Sequence, residues 1–335
     1  IGYAPSVMAN DQLTWETTDQ WNVGVDFGFL KNRINGTVEF YLQNTKDLLL
    51  KRQLPVVSGF SSVMSNVGST RNKGIEITLN TRNIMNRNFT WSTDLTFSAN
   101  KEEIVELYNG KTDDVGNLWF IGQPIDVYYN YKKIGIWQNT EKDLAEMAKF
   151  NEKGANFKPG SIRLEDVDGD YKITEEDKQI LGSVRPKFVA SMVNNFEFKG
   201  FDLSVFLYAS VGGLLRNNIE FMEKPGRGNT VKVDYWTPTN PTNAFPRPSV
   251  DVEKLDYIST LGYDKADFLR IRNITLGYTL PEMWSKKVLM DKIRIYLSAN
   301  NPAIFTNFTG IDPEGANGRT APSYSTWMFG INLSM

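Results

Sequence analysis

Large apolar residues return at every second position in nine separate stretches of this chain. The last stretch has the cleanest pattern. Trp327, Phe329, Ile331, Leu333 and Met335 alternate with Met328, Gly330, Asn332 and Ser334. A period of two turns all five large side chains to one face of a strand. The chain ends on that face, although the termini of soluble domains usually fray in polar residues.

The same pattern recurs upstream. Trp21, Val23, Val25, Phe27 and Phe29 alternate with Asn22, Gly24, Asp26 and Gly28, predicting a strand over 20–30. Lys31-Asn32 is a tight turn into Ile34, Val38, Phe40 and Leu42, which makes a hairpin. After an extended connection over 44–70, Ile75, Ile77 and Leu79 alternate, then Phe89, Trp91, Leu95 and Phe97 follow a short turn at 83–88. A very long segment occupies 100–185. Phe188–Phe198 is a looser strand whose outer face is interrupted by Asn194, and Lys199-Gly200 turns it into a strand over 201–211. A second long connection over 212–267 is rich in Pro, Asn and Gly, and strands follow at about 268–281, 292–301 and 323–335.

Nine strands joined by alternately short and long connections can belong to a soluble sandwich or to an outer-membrane barrel. The asymmetry favours the barrel, where short turns are periplasmic and long loops extracellular. Starting outside and crossing nine times leaves Met335 in the periplasm. The expected fold is therefore all-β, an antiparallel transmembrane β-barrel. Complete bacterial barrels have an even strand number, so strands N-terminal to these nine are expected.

Composition narrows the function. Mean hydropathy is −0.37, and no run approaches the roughly 18 apolar residues of a membrane helix. Neither fact excludes a barrel, whose alternating faces average out to polar. Cysteine and histidine are both absent, which removes disulfides, Cys-ligated metals and every nucleophile–histidine or zinc–histidine mechanism. A net charge of −2 gives no basic patch for nucleic acid. The chain begins at Ile1 without a signal segment and reads as a mature piece or a fragment.

The connections carry recognisable runs. They include Thr45-Lys-Asp-Leu-Leu49, Ser58-Gly-Phe60, Asn66-Val-Gly68, Asn72-Lys-Gly-Ile-Glu76 and Gly122-Gln-Pro124. Gly160-Ser-Ile-Arg163, Trp236-Thr-Pro238, Phe268-Leu-Arg-Ile-Arg-Asn273 and Asp312-Pro-Glu314 follow. In this order they resemble the SusC/RagA family of TonB-dependent outer-membrane transporters. The resemblance implies a plugged barrel of about 22 strands, of which residues 1–335 supply roughly the last nine, with plug and N-terminal strands elsewhere. It also implies import of an oligosaccharide or peptide with a SusD-like surface lipoprotein as lid. A TonB complex would pull the plug, outer-membrane lipid would surround the barrel, and the assembly would be a dimer of SusCD pairs. The family usually closes on Phe, where this chain has Met335. A different class remains open, an adhesin or structural barrel that binds surfaces without transport. A hydrolase is disfavoured because no histidine can serve as base.

One motif has metal-ligand spacing. Asp166, Asp168, Asp170, Lys172 (through its carbonyl), Thr174 and Asp177 fall at positions one, three, five, seven, nine and twelve of a calcium loop within the 100–185 segment. Tyr171 departs from the pattern, since position six favours Gly for a positive φ. Asp177 is also shorter than the usual Glu. The alternative is a solvated acidic turn without Ca²⁺. Asp26, Glu39, Glu76 and Asp94 read as lining a water-filled lumen rather than as catalytic carboxylates. Trp119, Tyr128, Tyr129, Tyr131, Trp137 and Trp236 could stack on sugar rings, pack the loops together or form the outer girdle. Arg270 and Arg272 share a face with Ile274 and Leu276 if their strand is regular, and a β-bulge near Asn273 would turn them inward.

Overall fold

The computed structural model describes residues 8–217, 233–248, 256–315 and 323–335. Ile1 and parts of the 212–267 connection lie outside the described residues. Among the described residues, nine long strands form one antiparallel sheet in sequence order. They are β1 (Thr17–Phe29), β2 (Ile34–Lys46), β3 (Ser69–Met85), β4 (Phe89–Glu106), β5 (Phe188–Phe198), β6 (Phe201–Val211), β7 (Phe268–Thr279), β8 (Lys292–Thr306) and β9 (Thr326–Ser334). Short turns join β1–β2, β3–β4, β5–β6 and β7–β8 at one end of the sheet, and long connections join the other pairs at the opposite end.

The register shows how the alternation becomes two faces. Trp21, Val23 and Val25 lie opposite Leu42, Phe40 and Val38. The apolar row continues through Ile77, Phe97 and Ala190 to Leu297, Phe329 and Ile331. These side chains are left uncovered, with Trp21 71% and Phe329 72% exposed, so this face is built to meet lipid. The other face is polar and cross-linked. Thr37 Oγ1 donates to Asp26 at 2.6 Å, Thr90 Oγ1 to Glu197 at 3.1 Å, and Thr96 and Ser191 share a bond of 2.6 Å. On the same face the Tyr41 ring covers Gly74 and the Tyr296 ring covers Gly330, cross-strand pairs in which a Cβ on the glycine would collide with the ring.

Asn194 sits on the lipid face, as the pattern predicts, but it is not left bare. Its Oδ1 accepts from Trp91 Nε1 at 3.0 Å and from Thr93 Oγ1 at 2.7 Å. The β4 strand runs to Glu106, beyond the point where apolar alternation stops at Phe97. Its polar continuation pairs with Ser69–Lys73 of β3. Apolar alternation marks the depth of lipid contact, whereas strand pairing continues into water.

The two faces predict opposite sensitivities. Val25→Arg or Phe97→Arg should impair assembly, because a cation on the lipid face at mid-depth costs about 2–4 kcal/mol. Asp26→Asn and Thr96→Asn should be tolerated. Heat-modifiable gel mobility separates folded from unfolded barrel, and equal behaviour of the two pairs would refute the face assignment.

Candidate functional site

The connections at the long-loop end pack on one another. Between β4 and β5 lies a helix, α1 (Glu141–Glu152), whose N-cap Thr140 accepts from Asp143 N at 3.2 Å. Its inner face places Met147 and Phe150 against Trp137 and Phe157 in a buried cluster. A second cluster joins Ile136, Ile162 and Leu164 of this connection to Trp236, Ile258 and Leu261 of the next one. Polar groups tie the two connections as well. Trp236 Nε1 donates to Gln138 Oε1 at 2.8 Å, and Asn243 Oδ1 accepts from Ile136 N at 2.9 Å. Lys133 Nζ donates to the carbonyls of Asn243 and Ala244, and burial holds its pKa below the ordinary lysine value. Arg163 pairs with Asp143 and Glu146 while its guanidinium lies 4.4 Å over the Trp137 ring.

The loop aromatics therefore divide. Trp137 and Trp236 are 1% and 5% exposed and pack the loops, so stacking on a sugar would require unpacking them. Tyr129 packs on Phe120, Tyr128 meets Tyr263 edge-on and Tyr131 meets Tyr257 edge-on. The Tyr131 hydroxyl also faces Glu175; burial, then that carboxylate, push its pKa up to about 12. Trp119 is half-buried. A cavity of about 700 Å³ opens among the loops, lined in part by Lys132, Ile134, Gln179, Asn217, Tyr263 and Thr309.

The acidic turn is folded around its own carboxylates. Asp166 accepts from Gly169 N at 2.8 Å and Tyr171 N at 2.9 Å, and Asp168 from Asp170 N at 3.1 Å. Asp177 is buried, 1% exposed, and accepts from Val167 N at 2.8 Å and Thr174 N at 2.7 Å, so it clamps both flanks. One oxygen from each of Asp166, Asp168 and Asp177 lies within 4.8 Å of the others. Asp170 stands outside this trio, its carboxylate taken by Lys172 N at 2.7 Å. Thr174 Oγ1 caps the short helical turn that follows, accepting from Glu176 N at 3.2 Å. The donor set suits a hard, oxygen-seeking cation. Each carboxylate keeps lone pairs beyond those used by backbone N–H groups.

Tyr171 takes φ 61°, the left-handed value the sixth position needs. What makes a non-glycine tolerable there is its ring, which packs edge-on to Phe150 at 5.4 Å with Lys149 above it. The motif spacing gives no hint of this contact, because Phe150 comes from α1.

Arg270 and Arg272 are turned inward. The β7 register slips between Ile271 and Asn273 against both β6 and β8. Arg270 is 3% exposed and its Nη2 donates to Asp312 Oδ1 at 2.7 Å. Its Nε lies 2.8 Å from Glu314 Oε2 but off the hydrogen-bond axis. Arg272 pairs with Glu314 and stacks over Tyr208 at 4.8 Å. Asp312 also accepts from Glu314 N at 3.0 Å and from Ser323 N at 3.1 Å and Oγ at 2.6 Å. Burial alone would raise its pKa, but these bonds together hold it below the ordinary value. The partners of the arginines, Asp312 and Glu314, stand in the sequence as one short motif. Nothing in the alternation connects that motif to β7.

A nine-stranded antiparallel sheet with one lipid-type face, one polar face and all long connections at one end is a segment of a transmembrane barrel. The family model "TonB dependent receptor-like, beta-barrel" matches residues 2–327. The chain belongs to this family of outer-membrane proteins. TonB-dependent receptor P3 of Formosa agariphila is 32% identical over 97% of this chain and 35% of its own length. TonB-dependent receptor SusC of Bacteroides thetaiotaomicron is 30% identical over 97% of this chain and 32% of its own. Among solved structures, the RagAB peptide transporter superposes with a TM-score of 0.79 at 25% identity, covering 99% of this chain and 37% of that one. The chain thus spans about a third of the length of the curated relatives it matches.

Proposed function

We propose that this segment is the C-terminal barrel portion of a TonB-dependent importer that takes up an oligosaccharide or a peptide. The observation that carries the reading is the packed body of loops. Two long connections share one buried core at one end of a sheet whose other end has only short turns. In this reading the loops are extracellular, the turns and Met335 periplasmic, and the loop cavity belongs to the substrate path. A SusD-like lipoprotein would close over the loops, and two such pairs would form the assembly. The residues here bind and gate; no covalent step is assigned to any of them.

The acidic turn is read as a Ca²⁺ site held by Asp166, Asp168 and Asp177. Asp170, the Lys172 carbonyl and Thr174 complete the loop around it. The cation would order the loop body and take no part in transport chemistry.

The test uses the intact protein purified from its own membrane with whatever lipoprotein accompanies it. Uptake of the ligand carried by the complex should be lost both when this protein is deleted and when the TonB complex is de-energised. Surface binding that persists without uptake in the energised parent strain would mark an adhesin instead.

A further inference from the structure

The four short turns are not alike. Three are compact, at Leu30–Arg33, Asn86–Asn88 and Lys199-Gly200, and in them Leu30 alone exposes an apolar side chain. The fourth, between β7 and β8, is a helical turn over Glu282–Val288. It is inside-out for a water-facing element. The fully buried side chain is Ser285, whose Oγ donates to the carbonyl of Glu282 at 3.2 Å and lies 3.4 Å from that of Asp291. The exposed ones are Met283 at 68%, Trp284 at 56%, Val288 at 57% and Leu289 at 89%. Backbone bonds from Trp284 N to Pro281 O, Leu289 N to Lys286 O and Met290 N to Ser285 O hold the turn in shape. The apolar groups are therefore presented by an ordered element.

The turn sits at the end of the strands that carry the lipid-facing rows. Leu280 N bonds Ile293 O, and Asp291 N bonds Ser334 O, which seats it directly beyond Ile293, Leu333 and Met335 at the rim of the sheet. A Trp beside aliphatic side chains, with Lys286 and Lys287 adjacent, is the composition that lies at the head-group boundary of a bilayer. The lysine stems can run along apolar surface while their ammonium groups reach lipid phosphates.

We propose that the Glu282–Leu289 turn is an interfacial anchor that inserts Met283, Trp284, Val288 and Leu289 among phospholipids of the adjoining leaflet. The assignment of that leaflet as periplasmic rests on the orientation given above. An anchor there would fix the height and tilt of the barrel at β7–β9.

The chain has no cysteine, so single Met283→Cys and Val288→Cys variants can be labelled in the full-length protein freed of any other thiol. The labelled protein, carrying an environment-sensitive fluorophore, is reconstituted into vesicles of phosphatidylethanolamine and phosphatidylglycerol. Nitroxide lipids quenching near the head group should extinguish both probes, and lipids quenching at the chain end should do so weakly. This follows because interfacial elements sit about 5–10 Å deep. A probe at Lys199→Cys, on a polar turn, should stay bright with either lipid and be quenched by aqueous iodide. Iodide quenching at 283 and 288 would overturn the proposal. So would shielding from both quenchers, which would mean that protein covers the turn. The orientation is read separately: labelling of the Lys199→Cys turn in intact cells by a membrane-impermeant maleimide would overturn the periplasmic assignment and leave the membrane contact standing.

Discussion

Arg270→Ala should destabilise the intact barrel by about 3–5 kcal/mol, the cost of leaving a buried carboxylate without its cation. Arg270 and Asp312 are 3% and 6% exposed, and the pair is bonded at 2.7 Å, so solvent screens it little. Removing both partners should cost less than removing Arg270 alone, since no uncompensated charge then remains. Arg270→Lys should recover only part of the loss, because an ammonium cannot face Asp312 and Glu314 with a planar fork. The sign of the pH effect follows from Asp312, whose pKa lies below its ordinary value of 3.8. A lowered carboxyl contributes its full stabilisation above that ordinary value and loses it as pH falls through the folded value. Unfolding of the parent protein should therefore become easier below about pH 4, and Asp312→Asn should flatten that acid limb. Denaturant titrations followed by gel mobility would measure all four variants. A single variant no less stable than the double would refute the linkage.

This cluster also marks where reading the sequence stops. The strands are legible because lipid on one side and water on the other impose a period of two, and most of each strand keeps that period. It fails at Arg270 and Arg272 for a geometric reason: one slipped pairing at Arg272 shifts parity, and alternation carries no signal of a bulge. It also fails at Asn100–Glu106, where strand pairing outlasts the lipid and nothing alternates. In the loops the acidic turn was legible through oxygen spacing, and its Tyr171 was legible as a misfit. The contact that accommodates Tyr171 comes from α1, twenty-odd residues earlier. The Trp137 and Trp236 cores have the same character. Packing between distant loops leaves no period in either one, so the choice between sugar stacking and loop packing needed the fold.

Calcium should bind the Asp166–Asp177 turn, and its removal should loosen the loop body. Three carboxylates within 4.8 Å repel one another. Each pair costs roughly 1 kcal/mol in a water-like medium and about 3–4 kcal/mol at the effective dielectric near a protein surface. The backbone bonds to Asp166 and Asp177 offset part of this, and a divalent cation would offset the rest. Mg²⁺ should do so less well, because it demands a rigid six-fold shell and keeps its waters. Affinity should fall in the loose extracellular range of about 10⁻⁴–10⁻³ M, since the sixth position is a tyrosine and the terminal ligand a short aspartate. Two variants separate binding from folding. Asp168 is exposed and bonds only within its own turn, so Asp168→Asn should weaken calcium binding while leaving the chelated protein as stable as its parent. Asp177 clamps both Val167 and Thr174, so Asp177→Asn should loosen the turn with or without the ion. Limited proteolysis in millimolar calcium and in chelator, with an anomalous difference map from the calcium-soaked protein, checks both. Identical cleavage in the two conditions, with no density between Asp166, Asp168 and Asp177, would leave the turn as a self-bonded acidic loop without an ion.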